Sequence, residues 1–302
     1  MYIIDISASS LKKLKKYELD SGLYNSEGNL YILKEKQKWI KELKMLKLFF
    51  CNTGANFSNK LFTINELINN KSIIGIEEMV FPEKLLVMDE KVSGFVMPYI
   101  DSVNFETILK DNNINNSTKI NYFKQIASIL EKMDAVRKTT VIDDFYLNDL
   151  HAGNFILNKK TNNINVVDLD SCKINGNKAF PAKYLTSFSI ANHMPYKYKQ
   201  NDDKRYPGNI IANKNSDLYC YIVMFLNFLY KDNILSLDRE NYYIYLEYLR
   251  SINYPYELLD KLFKIYEPCD NEEIVSCLDQ LDFKMISMAQ KNVFRYKIKS
   301  KF

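Results

Sequence analysis

The stretch that most constrains the fold is Asp217 to Tyr230, DLYCYIVMFLNFLY, which as a helix is apolar almost all the way round. A helix without a polar face has to be surrounded by other elements, so it belongs in the middle of a domain. It is too short to cross a bilayer, and no run in the chain reaches the roughly 18 apolar residues of a membrane helix. We therefore expect a large helical domain built around this segment and no membrane span.

The first hundred residues have a different pattern of apolar residues. They carry short apolar or alternating runs typical of strands and a single stretch with helical periodicity. The expected strands are 30–33, 45–49, 85–88 and 95–97, and the expected helix is 58–70. After Pro98 helical stripes dominate, interrupted by a β-rich patch over 145–174. The expected helices are 117–137, 217–230, 241–252, 256–266 and 271–281. The order predicts an α+β chain with a small β-rich lobe over 1–98, a larger helical lobe over 99–290 and a basic tail over 291–302.

Composition excludes several classes of protein. A 302-residue chain that is 47% hydrophobic has ample material for a core, and its net charge of +4 is too small to favour nucleic acid as the main partner. The five cysteines show no C-x-x-C spacing, which predicts reduced thiols and a cytoplasmic location. The N-terminal apolar stretch precedes its positive charges, the reverse of a secretory signal.

The most informative segment is 145–170, FYLNDLHAGNFILNKKTNNINVVDLD. Two apolar runs separated by a polar turn predict a hairpin. Asp149 and Asn154 precede this hairpin, and Asp168 ends it. Carboxylate and amide oxygens are the ligands of hard cations such as Mg²⁺, which takes few of them from protein when phosphates supply others. Asn154 and Asp168 fit that task, and Asp149 is then left to accept a proton from an attacking hydroxyl.

This pattern resembles the catalytic and metal-binding loops of the protein-kinase superfamily, H-R-D-x-x-x-x-N and D-F-G. Leu147 to Asn154 stand at the first motif and Asp168 to Asp170 at the second. The segments GFVMPYI, NDLHAGN and VVDLDSCKI are similar to divergent bacterial Ser/Thr protein kinases, and D-L-H-x-G-N is also similar to aminoglycoside and choline phosphotransferases. The resemblance implies a bilobal kinase-like fold over about residues 15–285.

The resemblance also implies a lysine on a strand that holds the nucleotide phosphates and pairs with a glutamate of the following helix. Lys47 in MLKLF and Glu66 in TINEL stand at these positions, 19 residues apart. Lys44 is a rival for the strand lysine. A lysine pointing inward from an apolar strand has to be paired, because a lone buried charge is costly.

Further nucleotide contacts follow from the same resemblance. Gly22 and Gly28 occupy the region of the glycine-rich loop, which has only two glycines here. Met97 stands at the gatekeeper position, and the Pro98 carbonyl and the Ile100 N–H would bind the adenine edge. The proline does not interfere, because only its own N–H is missing.

Two departures from the family pattern matter, at His151 and Asp170, and a third position, Asp217, agrees with the pattern. His151 replaces the lysine that Ser/Thr kinases carry two residues after the catalytic aspartate, and it either meets the γ-phosphate as a weaker charge or packs in the loop. Asp170 replaces the glycine of D-F-G and is either a second metal ligand or a surface acid. Asp217 is expected to anchor the catalytic-loop backbone, as the family's helix F aspartate does, and it is also a sound N-terminal helix residue.

The function that the resemblance implies is transfer of the γ-phosphoryl group of ATP, with Mg²⁺, to a hydroxyl, foremost of a protein serine or threonine. A small-molecule acceptor is the first alternative, and a pseudokinase scaffold without activity is the second.

Overall fold

The computed structural model describes residues 3–17, 27–36, 41–142, 144–177, 214–237, 239–254 and 284–290. Within these ranges the chain is a mixed α+β protein, so the predicted class is confirmed. The strands are β1 (Ile3–Asp5), β2 (Lys15–Lys16), β3 (Gly28–Lys36), β4 (Lys41–Phe49), β5 (Lys84–Met88), β6 (Lys91–Pro98), β7 (Ser102–Asn104), β8 (Phe155–Asn158) and β9 (Ile164–Val166). The helices are α1 (Ala8–Leu11), α2 (Gly54–Ile74), α3 (Phe105–Lys110), α4 (Asn116–Thr139), α5 (Lys214–Tyr230) and α6 (Arg239–Ser251). The expected helices 256–266 and 271–281 and the basic tail lie outside the described residues.

Strand β4 lies inside a six-stranded sheet with the order β1-β5-β6-β4-β3-β2. Because side chains alternate across a strand, Met45, Lys47 and Phe49 point to one face of the sheet, and Leu46 and Leu48 point to the other. The first face packs against α2, and the second is covered by apolar side chains from the N-terminal segment 3–14. With both faces covered, a lysine at position 47 is buried among apolar neighbours.

Helix α2 lies against the β4 face with a stripe of buried residues at the spacing of an amphipathic helix. The stripe consists of Lys60, Thr63, Ile64 and Leu67. The helix ends at Gly75, whose φ of 60° is the left-handed conformation that glycine adopts without steric cost, and whose N–H binds the Lys71 carbonyl. One position in this stripe is therefore a lysine that faces the protein interior.

The segment that follows α2 joins the first sheet to the second. Val166 of β9 donates to the Glu78 carbonyl at 2.8 Å and accepts from the Val80 N–H at 2.9 Å. Strands β7, β8 and β9 form an antiparallel three-stranded sheet in that order. These bonds bring the end of β9, and hence residues 168–170, to the space between α2 and β4.

The helical part is built around Phe123 of α4, which is fully buried. Its ring makes edge-on or tilted contacts with four other aromatic rings, those of Phe105, Tyr221, Phe225 and Phe228. The last three belong to α5, whose described side chains are nearly all buried, as its sequence predicts. Among the described residues, no helix combines the length and apolar character needed to span a membrane.

Phe123→Ala is expected to lower the free energy of unfolding by about 3–5 kcal/mol, because it opens a cavity among four rings. Phe50→Ala serves as the control, since Phe50 is 62% exposed, and its effect should be under about 1 kcal/mol. Urea denaturation of both variants measures the difference. Similar losses would mean that Phe123 is not central to the core.

Candidate active site

The loop that carries Asp149 is fastened to the first turn of α5. Asp217 accepts the N–H groups of Leu147 and Asn148, one on each carboxylate oxygen, both at 2.8 Å. Asn148 has a φ of 61°, a left-handed conformation that asparagine tolerates better than most residues. The next residue is therefore presented on a backbone whose turn is held by a buried carboxylate. This is the contact that the sequence analysis expects of Asp217.

Burial raises the pKa of Asp217 to about 6, although the two N–H donors and the nearby Arg137 oppose the shift. The carboxylate is thus charged at neutral pH and accepts both bonds.

Asp149 keeps about a quarter of its side chain exposed to solvent. The Asn154 side-chain amide donates to the Asp149 carbonyl at 2.9 Å and lies 3.4 Å from its carboxylate Oδ2. His151 Nδ1 accepts from the Gly153 N–H at 3.1 Å, which places the ring proton on Nε2, and Nε2 lies 3.6 Å from Asp149 Oδ2. Asp149, His151 and Asn154 therefore form one polar group at the mouth of the β8–β9 hairpin.

Asp168 follows this hairpin directly. The Val167 N–H donates to the Asn154 carbonyl at 2.9 Å, which holds the two ends of the hairpin side by side. Asp168 itself has a φ of 63°, and a 3-10 turn from Leu169 to Ser171 follows. This sharp turn directs Asp168 and Asp170 toward the strand that carries Lys47.

Five charged side chains meet here, namely Glu27, Lys47, Lys60, Asp168 and Asp170, which we call the ion cluster. The Lys47 ammonium donates to Asp168, to Asp170 at 2.9 Å and to Glu27 at 3.5 Å. The Lys60 ammonium donates to Asp170 at 2.9 Å, to Glu27 at 2.8 Å and to the Ser171 hydroxyl at 3.3 Å. Lys47 and Asp168 are 121 positions apart in the chain, so only folding brings them together.

The members of the ion cluster differ in how their surroundings shift the pKa of each side chain. Burial alone lowers the pKa of Lys47, but Asp168, Asp170 and Glu27 together raise it well above its usual range. Burial likewise works to raise the pKa of Asp170, yet Lys47 and Lys60 hold it below the usual range. Burial raises the pKa of Asp168 to about 6, with Lys47 opposing and Asp170 adding to the shift. Asp170 is thus a permanent anion.

The ion cluster offers oxygen ligands to a hard cation. Carboxylate oxygens of Glu27, Asp168 and Asp170 lie within 4.8 Å of one another, and three carboxylates against two ammonium groups leave the cluster with a net negative charge. Both oxygens of Asp170 already accept from lysines, whereas the Asp168 side chain is 28% exposed. These three carboxylates are a donor set that fits a hard cation such as Mg²⁺.

The expected pairing of Lys47 with Glu66 is wrong. The Glu66 carboxylate accepts from Asn175 at 2.5 Å and from Asn70 at 3.2 Å. Glu66 lies six residues after Lys60, which at 3.6 residues per turn puts it roughly 120° round the helix from the stripe that faces Lys47. The packing of that stripe therefore turns Glu66 away from the ion cluster.

The rival lysine points elsewhere. Lys44 also lies on β4, but it is three positions from Lys47, and side chains that far apart point to opposite faces of a strand. The Lys44 ammonium pairs with the Glu83 carboxylate at 2.9 Å.

The other expected nucleotide contacts are placed as follows. Gly28 begins β3, and a Cβ there would lie 2.4 Å from the Leu48 carbonyl oxygen, so its glycine is required by close strand packing. Gly22 lies outside the described residues. Met97 is buried on β6 opposite Met45, and Ile100 is half-buried against the apolar cluster that contains both. The Tyr99 N–H donates to the Leu43 carbonyl at 3.2 Å, which ties the end of β6 to β4.

Sequence reasoning missed Lys60 and left open the role of Asp170. Lys60 precedes Ile64 and Leu67 by four and seven residues, so it lies on the apolar stripe of the helix. A lysine in that register is a detectable sign of a buried, paired charge. No sequence pattern predicts that the Glu27 side chain points toward the ion cluster, because its direction depends on how the chain enters β3.

No protein-family model matches the chain, and the curated proteins contain no significant match to it. What this site does has to be inferred from its chemistry.

Asp170→Asn is expected to lower the free energy of unfolding by about 3–5 kcal/mol, because it leaves two buried lysines short of a counter-charge. The control is Asp101→Asn, whose ion pair with Lys159 is largely exposed and should matter far less. Chemical denaturation at neutral pH compares the two. A loss at Asp101 as large as that at Asp170 would contradict the assigned burial.

The raised pKa of Asp217 predicts a pH-dependent stability. Folding favours its protonated form, so its contribution is full below about pH 4, its value in the unfolded chain, and is lost as pH rises through about 6. Relative to Asp217→Asn, the wild type should gain about 1 kcal/mol in unfolding free energy between pH 7.5 and pH 5. Parallel denaturation curves at the two pH values test this, and a difference that stays constant with pH would refute it.

Proposed function

We propose that the chain is an ATP- and Mg²⁺-dependent phosphotransferase with a bilobal protein-kinase-like fold. The six-stranded sheet with α2 would form the small lobe, over 1–98, and the helices after Pro98 the large lobe, over 99–290. One observation carries the proposal: the buried Lys47 ammonium is bonded to Asp168, beside a loop in which Asn154 contacts a partly exposed Asp149. A strand lysine is thus brought to a carboxylate and a general base that flank one hairpin more than a hundred residues away in the chain.

The surroundings of Lys47 supply what a nucleotide needs. Apolar side chains lie on the same side of the sheet as Lys47 and continue to the end of β6, namely Leu30, Met45, Met97, Ile100 and Val167. A flat apolar base would pack against this surface, with the Pro98 carbonyl and the Ile100 N–H at its edge. The phosphates would then reach the Lys47 ammonium, which is charged at any physiological pH.

Asp168 and Asn154 would hold Mg²⁺, which supplies neutralisation of phosphate charge when bound. The acceptor hydroxyl oxygen forms a bond to the γ-phosphorus while the bond from that phosphorus to the bridging oxygen breaks, and ADP leaves. The hydroxyl proton passes to the Asp149 carboxylate, whose position is set by Asn154 and by the loop bonds to Asp217. Most of the rate enhancement comes from positioning and from charge neutralisation.

A protein serine or threonine is the acceptor that we propose first, on the likeness of segments 94–100 and 147–170 to bacterial protein kinases. A small-molecule acceptor is the second candidate, and His151 favours it. His151 stands where Ser/Thr kinases carry a lysine, and its ring is engaged with the Gly153 N–H and faces Asp149. We place this activity in the cytoplasm, where ATP is abundant and thiols such as Cys172 and Cys220 stay reduced.

Incubation with γ-labelled ATP, Mg²⁺ and a cell extract tests the function. We expect label transfer by the wild type and a loss of at least about a hundredfold in Asp149→Ala and Asp168→Asn, because each removes a group that acts in the transition state. Asp101→Asn, at an exposed ion pair, is the matched control and should retain activity.

Separation of the products decides the acceptor. Label on protein supports the first candidate, and label confined to small molecules supports the second. Wild type that neither binds nor transfers from ATP across several extracts would refute the enzyme and favour a scaffold.

A further inference from the structure

Lys60 is a second buried lysine at the site, and it comes from the helix in which an acid was expected. Among the described residues, its ammonium donates to Asp170, Glu27 and Ser171. The Lys60 residue is 8% exposed, so these contacts replace water at the ammonium. An ammonium buried at this depth is stable only because carboxylates neutralise it.

Asp170 connects this lysine to the other one. Its Oδ1 accepts from Lys47 and its Oδ2 from Lys60, both at 2.9 Å, and its side chain is fully buried. Because the two oxygens accept from different lysines, the bond from Lys60 helps to hold the orientation in which Asp170 presents its other oxygen to Lys47.

The remaining partners of Lys47 are less firmly held. Glu27 lies 3.5 Å from Lys47, and its side chain is 36% exposed. Asp168 is partly exposed and is the carboxylate proposed for the metal. An incoming phosphate competes with Glu27 for the ammonium, and a cation competes with Lys47 for Asp168. Asp170 is the one carboxylate of the ion cluster that neither event has to displace.

We propose that Lys60 is a positioning residue, which fixes Asp170 so that Asp170 anchors Lys47 against the phosphates of the bound nucleotide. In the family that the sequence resembles, a helix glutamate braces the lysine directly. Here Glu66 is bonded to Asn175, and a helix lysine acts through a loop aspartate instead. This inference rests on the proposed nucleotide-dependent function of the same site.

The charge of the ion cluster gives the inference a distinctive signature. Removal of Lys60 leaves three carboxylates facing one ammonium, so the local potential becomes more negative. Anionic phosphates are then repelled, while a divalent cation without nucleotide is attracted more strongly. A helix that merely loosened would weaken both kinds of binding.

The experiment measures two affinities of the full chain: Mg-ATP by calorimetry, and Mn²⁺ alone by electron paramagnetic resonance. For Lys60→Met we expect Mg-ATP binding at least about tenfold weaker and Mn²⁺ binding tighter than in the wild type. Lys60→Arg, which keeps the charge, should retain more nucleotide affinity than Lys60→Met. Lys71→Met is the matched control, since Lys71 is on the same helix but half-exposed, and both its affinities should stay at the wild-type value.

Three results would overturn the inference while leaving the proposed function intact: wild-type Mg-ATP affinity in Lys60→Met, parallel weakening of both ligands, or an equal loss in Glu66→Gln. A wild type that binds no Mg-ATP would overturn the proposed function and the inference together. If Lys60→Met alone does not fold, Lys60→Met combined with Asp170→Asn removes one charge of each sign. We expect this pair also to bind Mg-ATP at least about tenfold more weakly, since Lys47 has lost its anchor, and wild-type affinity in it would refute the proposal.

Discussion

The structure depends on the ion pairs that the Lys47 ammonium makes with Asp168 and Asp170 inside the protein. Taking an ammonium out of water is expensive, and the expense is offset only when carboxylates meet it with good geometry. The bonds to Asp170 and Asp168 meet that demand, and they join strand β4 to the turn after β9. The two sheets are therefore held together at the point where the candidate site lies, and apolar packing alone does not specify that point.

A second set of interactions links the helical core to the loop before Asp149. Helix α5 is buried because it has no polar face, and its first turn carries Asp217, which holds two N–H groups of the loop before Asp149. The apolar packing of α5 around Phe123 thus fixes the position of a buried carboxylate, and that carboxylate fixes a backbone turn. Helix α5 therefore contributes both to the core and to the site, and large changes in core packing should also displace the loop before Asp149.

The two aspartates of the turn after β9 have divided roles for a physical reason. Asp170 is fully buried between two lysines and stays ionised, so it acts as a fixed counter-charge. Asp168 is partly exposed and has a pKa raised to about 6, and in the proposed function it is the carboxylate that holds the cation. Both side chains accept from the Lys47 ammonium, and Asp170 alone also accepts from Lys60, so the two carboxylates share one partner and differ in the second.

The sequence by itself determined the element types and several site positions. Hydrophobic period located the four central strands of the larger sheet and helices α2, α4, α5 and α6, because burial of one face imposes that period. Local spacing located the Asp149–Asp168 hairpin, and the apolar strand around Lys47 required that lysine to be paired. Only the tertiary structure decided the partners: Asp170 and Lys60 in place of Glu66, and Glu27 turned inward. The rotation of α2 about its axis and the depth of the turn after β9 are set by packing between segments more than a hundred residues apart, and ion pairs depend on ångström distances that no local pattern encodes.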